Sequence, residues 1–79
     1  MTTETSIETL VLAIVASFSY VEVRPTRLAS RLVEDLNIGV HDRVFLVVGL
    51  EIAFDSIINL EDAAKWITVE DIVMYIRAR

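Results

Sequence analysis

Leu32-Val33-Glu34-Asp35-Leu36-Asn37-Ile38-Gly39-Val40-His41-Asp42-Arg43-Val44-Phe45-Leu46-Val47-Val48-Gly49-Leu50-Glu51-Ile52-Ala53-Phe54-Asp55 runs from an acidic turn into the longest apolar helix candidate of the chain. Asn37 and Gly39 suit a tight turn ahead of that helix, and Asp42 suits its cap or first turn. Placed at helical spacing, Leu46, Val47, Leu50 and Phe54 fall on one side and predict a core stripe. His41, Phe45, Val48 and Ile52 fall on nearly the opposite side. A helix apolar on two faces is either enclosed on all sides or covered by another molecule. A chain of 79 residues has little mass to enclose it, so the second face reads as a partner-binding surface, for self-association or for another protein, with the first loop folding over it as the alternative.

The rest of the composition supports that reading. The length fits one small helical domain over residues 1–79, and a hydrophobic fraction of 54% is high for a soluble domain of that size. Apolar side-chain area is therefore expected on its surface. A net charge of -5, with the seven basic residues scattered, argues against nucleic-acid binding, which needs clustered Lys and Arg. The absence of cysteine excludes disulfides, thiolate metal sites and cysteine nucleophiles, and fits a reducing compartment. The acidic start Met1-Thr2-Thr3-Glu4 is unlike a secretion signal, and no apolar run approaches the roughly 18 residues of a membrane span. A cytoplasmic location is the expectation.

The flanking segments read as packing partners for the second helix. Thr5-Ser6-Ile7-Glu8 has capping-box chemistry and opens a first helix, with Ile7, Leu10, Val11, Ile14, Val15 and Phe18 as its buried stripe and its end near Ser17 to Tyr20. Val21-Glu22-Val23 alternates and Pro25 disfavours helix at Arg24, which predicts a loop over 21–30 with a turn around Thr26 to Ser30. The apolar residues from Leu32 to Leu36 are expected to point inward. A short third helix follows Asn59. Thr68 caps the last, whose buried stripe is Val69, Ile72, Val73 and Ile76. Trp66 and Tyr75 read as core or core-edge aromatics.

No catalytic constellation emerges. His41 is the single histidine, so neither a metal cluster nor a Ser/His relay assembles around it. The adjacent acids Glu34-Asp35 and Glu61-Asp62 fit solvated faces and helix starts. Gly39 and Gly49 form no phosphate-cradling loop. The chain reads as not an enzyme.

Val33-Glu34-Asp35-Leu36 resembles the segment that leads into the second helix of the acyl carrier protein family, which there continues to an Asp-Ser-Leu motif. Asp42, Val44, Leu46, Val47, Leu50, Glu51, Phe54, Asp55, Ala63, Lys65, Thr68-Val69 and Tyr75-Ile76 extend the resemblance without a gap. It implies an all-α, right-handed up-down bundle of three long helices and one short one, and a link to lipid, fatty acid or polyketide metabolism through protein contacts. In the family the motif serine carries 4'-phosphopantetheine. Here Gly39-Val40-His41 stands in place of Asp-Ser-Leu, and Val40 offers no hydroxyl oxygen to carry the arm. Phe45 and Ile52 stand where carriers place acids, so partner choice is expected to differ from a standard carrier's. The expectation is therefore an acyl-carrier-like interaction module without a cofactor.

Two alternatives remain at this stage. One is a working carrier armed at another hydroxyl. Asp55-Ser56-Ile57 imitates the motif, although the 23 residues after Ser56 are too few for the rest of the fold. The other is a protein that binds lipid non-covalently.

Overall fold

Four helices form in the order α1 (Thr3–Ser17), α2 (Val40–Phe54), α3 (Leu60–Ala63) and α4 (Val69–Arg77). The computed structural model describes residues 3–18 and 26–78, with side chains from residue 7 onward. Among these residues there is no strand, and an isolated antiparallel bridge pairs Arg31 with Thr68. The expected all-α bundle is present, although α4, at 9 residues, is well short of the 15 of α1 and α2.

The core is built from the faces that helical spacing marks. Leu46, Val47 and Leu50 of α2 and Val69, Ile72, Val73 and Ile76 of α4 are buried, and Phe54 packs against them. From α1, Val11 and Val15 are fully enclosed, with Ile7, Leu12, Ile14 and Phe18 at the margin. Leu10 departs from the expected stripe and is exposed. The partners of α1 are α2 and α4, and the arc they cover takes in part of Leu12 and leaves Leu10 outside. At Gly49 the two longest helices come close: a Cβ there would meet Ile14 and Phe18 at 3.7 Å, ordinary van der Waals contact.

Backbone helicity begins at Thr3, so Thr5 lies inside the first turn of α1. Thr3, Thr5 and Ser6 are all cap formers, so the sequence offers more than one start for this helix. Val21-Glu22-Val23 and Pro25 fall outside the described residues. Beyond them, Ser30 N–H donates to the Arg27 carbonyl at 3.0 Å, the turn expected there.

Residues 31–38 coil into a short turn. Leu32, Leu36 and Ile38 are buried, whereas Val33 is exposed, because the Asp35 N–H to Arg31 carbonyl bond gives this stretch helical spacing. At that spacing residues four apart share a side, and the next residue turns outward. Asn37 supplies the left-handed conformation, φ 56°, that ends the turn. Gly39 is extended instead, so the turn does not need its freedom.

The head of α4 is fully furnished. Its first two N–H groups, on Val69 and Glu70, donate to the Ser30 and Leu28 carbonyls at 3.1 and 2.9 Å. The third, on Asp71, donates to Thr68 Oγ1 at 3.3 Å, while Asp71 Oδ2 accepts from Ile67 and Thr68 N–H at 2.8 and 3.0 Å. These contacts satisfy the donors that a helix start leaves open, and they tie the first loop to the last helix. They also hold the Asp71 carboxyl below its usual pKa, chiefly through the Thr68 and then the Ile67 N–H.

Candidate functional site

The head of α2 is built differently. Gly39 occupies the N-cap in an extended conformation and provides no side-chain cap, and Asp42 lies in the first turn. Val40, the first helical residue, is 81% exposed. An aliphatic side chain in that position contributes neither to the core nor to the cap.

From Val40 an apolar arc continues along the outside of α2. Val44 and Val48 follow at intervals of four, and Phe45 and Ile52 widen the arc; Phe45 is 64% and Ile52 77% exposed. His41 lies exposed within it. The structure thus places His41, Phe45, Val48 and Ile52 together on one solvent-facing side, opposite Leu46, Val47 and Leu50. Sequence reasoning missed that Val40 and Val44 extend the same face, although the spacing 40, 44, 48 carries that signal.

Beside Val40 and Val44 the surface dips toward α3. An open depression of about 140 Å³ is lined by Val40, Arg43, Val44, Leu60, Ala63 and Ala64. Arg43, one of its lining residues, does structural work. Its guanidinium donates to the carbonyls of Ala63 (3.0 Å), Ala64 (3.3 Å) and Trp66 (2.8 Å), closing the C-terminal end of α3 against α2. Burial lowers the pKa of Arg43 from the ordinary arginine value, yet the group remains a cation at any physiological pH. The other end of α3 is held by its cap, Asn59, whose Oδ1 accepts from Glu61 N–H at 2.7 Å. Tyr75 of α4 donates to Asp62 at 3.2 Å and stacks edge-on against the buried Trp66.

Ser56 lies elsewhere. It follows Asp55, the left-handed C-cap of α2, and its N–H closes the helix on the Glu51 carbonyl at 3.1 Å. Glu51 Oε2 also accepts from Ile58 N–H at 2.8 Å and so shapes the link to α3. Ser56 is thus a helix-end residue. No group of three or more acids or histidines able to hold a metal occurs among the described residues, and no described helix is long and apolar enough to cross a membrane.

A helical bundle whose second helix opens on an exposed residue after an acidic turn is the architecture of a small carrier domain. The chain belongs to the acyl carrier protein family. An acyl carrier protein of Helicobacter hepaticus is 47% identical over 57 residues, covering 72% of this chain and 71% of that protein. An acyl carrier protein of Campylobacter jejuni subsp. doylei is 36% identical over 64 residues, covering 81% of this chain and 83% of its own length. No protein-family model matches the chain.

The family's arm, 4'-phosphopantetheine, does not fit the residues at this helix head. Its phosphodiester needs a side-chain oxygen, and Gly39, Val40 and His41 present none.

Proposed function

We propose that this chain is an acyl-carrier-like module, cytoplasmic, not an enzyme, and not armed with phosphopantetheine. It acts in fatty acid or related lipid metabolism through protein contacts of α2. The observation that carries the reading is Val40. The position is open to solvent at the start of the helix, where an arm would leave the surface, yet its side chain is a hydrocarbon. The outward face behind it agrees. Phe45 and Ile52 turn the surface that carriers fill with acids into one that gains free energy by leaving water. His41, Phe45, Val48 and Ile52 are the contact residues in this reading, joined by Val40 and Val44.

Incubation with phosphopantetheinyl transferases and coenzyme A, read by intact mass, tests it. The expected result is an unchanged mass with every transferase. A gain of one arm, mapped to Ser56 or to any other hydroxyl, overturns the unarmed reading in favour of an unconventional carrier.

A further inference from the structure

Arg31 and Arg43 make opposite use of the same guanidinium edge. Arg31 grips an acid with it: Nε and Nη2 donate to the two carboxylate oxygens of Asp35 at 3.5 and 3.4 Å. Arg43 spends its other nitrogen. All three of its bonds leave from Nη1, toward the carbonyls of Ala63, Ala64 and Trp66. Both N–H groups of Nη1 are thereby engaged, whereas Nε and Nη2 have no acceptor among the described residues. Neither of them is buried, since no buried side-chain nitrogen of the described residues lacks a partner. Arg43 is thus anchored through one nitrogen and turns a fork of parallel donors to solvent, the geometry that takes both oxygens of a carboxylate.

The walls around that fork are apolar. The depression beside α3 adjoins a second one of about 200 Å³, lined by Val33, Val40, Arg43 and Ala64. The two share Val40, Arg43 and Ala64, so one shallow trough runs past Arg43 from the turn of residues 31–38 to α3. Among the described residues no acid lines it; Asp42 and Glu61 neighbour lining residues in sequence without lining it themselves. Asp35 raises the pKa of Arg31 through a hydrogen bond and then through its charge, whereas burial alone moves that of Arg43, downward. Arg43 is therefore a partly desolvated cation held by neutral carbonyls, with no counter-charge among the described residues.

We infer that this trough binds a free carboxylate carried on a short hydrocarbon chain, with its two oxygens on Arg43 Nε and Nη2 and its tail along the apolar walls. The head supplies the charge that three carbonyls cannot, and the tail covers Val33, Val40 and Leu60, all exposed. A net charge of -5 disfavours a doubly charged phosphate head relative to a single carboxylate. The inference goes beyond the α2-contact reading and does not depend on it, because the ligand is untethered and the site recognises its charge.

Octanoate and octanol share a chain length and differ in charge, and NMR titration of the full chain compares them, with the Arg43 Nε–H resonance as the direct reporter. Octanoate is expected to bind at least about tenfold more tightly than octanol and to move Arg43 Nε–H together with the amides of Val40, Leu60 and Ala64. Val40→Asp places an acid three residues before Arg43 on α2, where it takes the fork for itself and repels the ligand. Val40 is exposed and an acid suits a helix start, so this variant is expected to fold and to bind octanoate about tenfold more weakly. Octanoate at millimolar concentration that leaves Arg43 Nε–H unmoved overturns the proposal. So does octanol binding as tightly as octanoate, which would make the trough an apolar surface alone. A folded Val40→Asp that binds octanoate as wild type does would overturn it too, and if that variant fails to fold, the two probes on wild type decide. None of these results touches the unarmed reading, which stands or falls on the mass measurement.

Discussion

The heads of α2 and α4 solve the same physical problem in opposite ways. A helix start leaves backbone donors without partners inside the helix. At α4 the Thr68–Asp71 capping box and the Ser30 and Leu28 carbonyls satisfy them, and the same bonds fasten the first loop. At α2 the N-cap is Gly39, which makes no side-chain cap, and the next residue is the exposed Val40. The first arrangement serves stability. The second opens on an exposed hydrocarbon, and in the proposed reading this is the place of the family's arm without the attaching atom.

The largest effect expected from this contrast is at α4. Asp71→Ala removes the acceptor for two backbone N–H groups and is expected to cost about 2 kcal/mol in urea unfolding, with Thr68→Ala costing about 1. A loss at Asp71 no larger than that of an exposed substitution would erase the difference between the two heads. Acid should narrow it as well. Asp71 has a lowered folded pKa, so its contribution is present above the ordinary aspartate value near 3.9 and is lost as pH falls through the folded value. The stability gap between wild type and Asp71→Asn is therefore expected to be full at neutral pH and to shrink below about pH 4. An unchanged gap at low pH would mean that the carboxylate's charge is not what stabilises the box.

Smaller effects are expected at α2. Gly39→Asp adds the missing cap where a Cβ meets nothing within 4 Å, and should stabilise the chain by a few tenths of a kcal/mol. Gly49→Ala, inside the helix and in ordinary contact range of Ile14, should add about 0.5–1 kcal/mol by reducing the freedom of the unfolded chain. A destabilised Gly49→Ala would show that α1 and α2 are already as close as their side chains permit.

How much of this was legible in the sequence follows from which forces are local. The stripe Val69, Ile72, Val73, Ile76 and the Thr68 cap were readable because period and cap chemistry lie within one helix. So was the outward face of α2, a matter of spacing alone. Leu10 was misread because it sits at the edge of an apolar stripe, where the width of the neighbouring element decides burial, and Val33 because the helical spacing of residues 31–38 turns it outward. Ile38 and Ile58 are buried loop residues with no period to mark them. Arg43 was not legible as a clamp, since its three carbonyl partners lie 20 or more residues away and meet it only through packing. The candidate site was readable as a departure from a family pattern. That it is also a solvent-facing helix start whose N-cap makes no side-chain cap took coordinates to see.

The most direct test of the proposed reading, a carrier fold whose attachment motif lacks its oxygen, is to restore the motif with Gly39→Asp, Val40→Ser and His41→Leu. Wild type and the triple variant are then treated in parallel with a phosphopantetheinyl transferase and coenzyme A. Val40 is exposed, so the variant should fold with stability within about 0.5 kcal/mol of wild type. The account predicts that intact mass shows one arm on the variant, mapped to position 40, and none on wild type. A folded variant that stays unarmed, or a wild type that gains the arm, would contradict it.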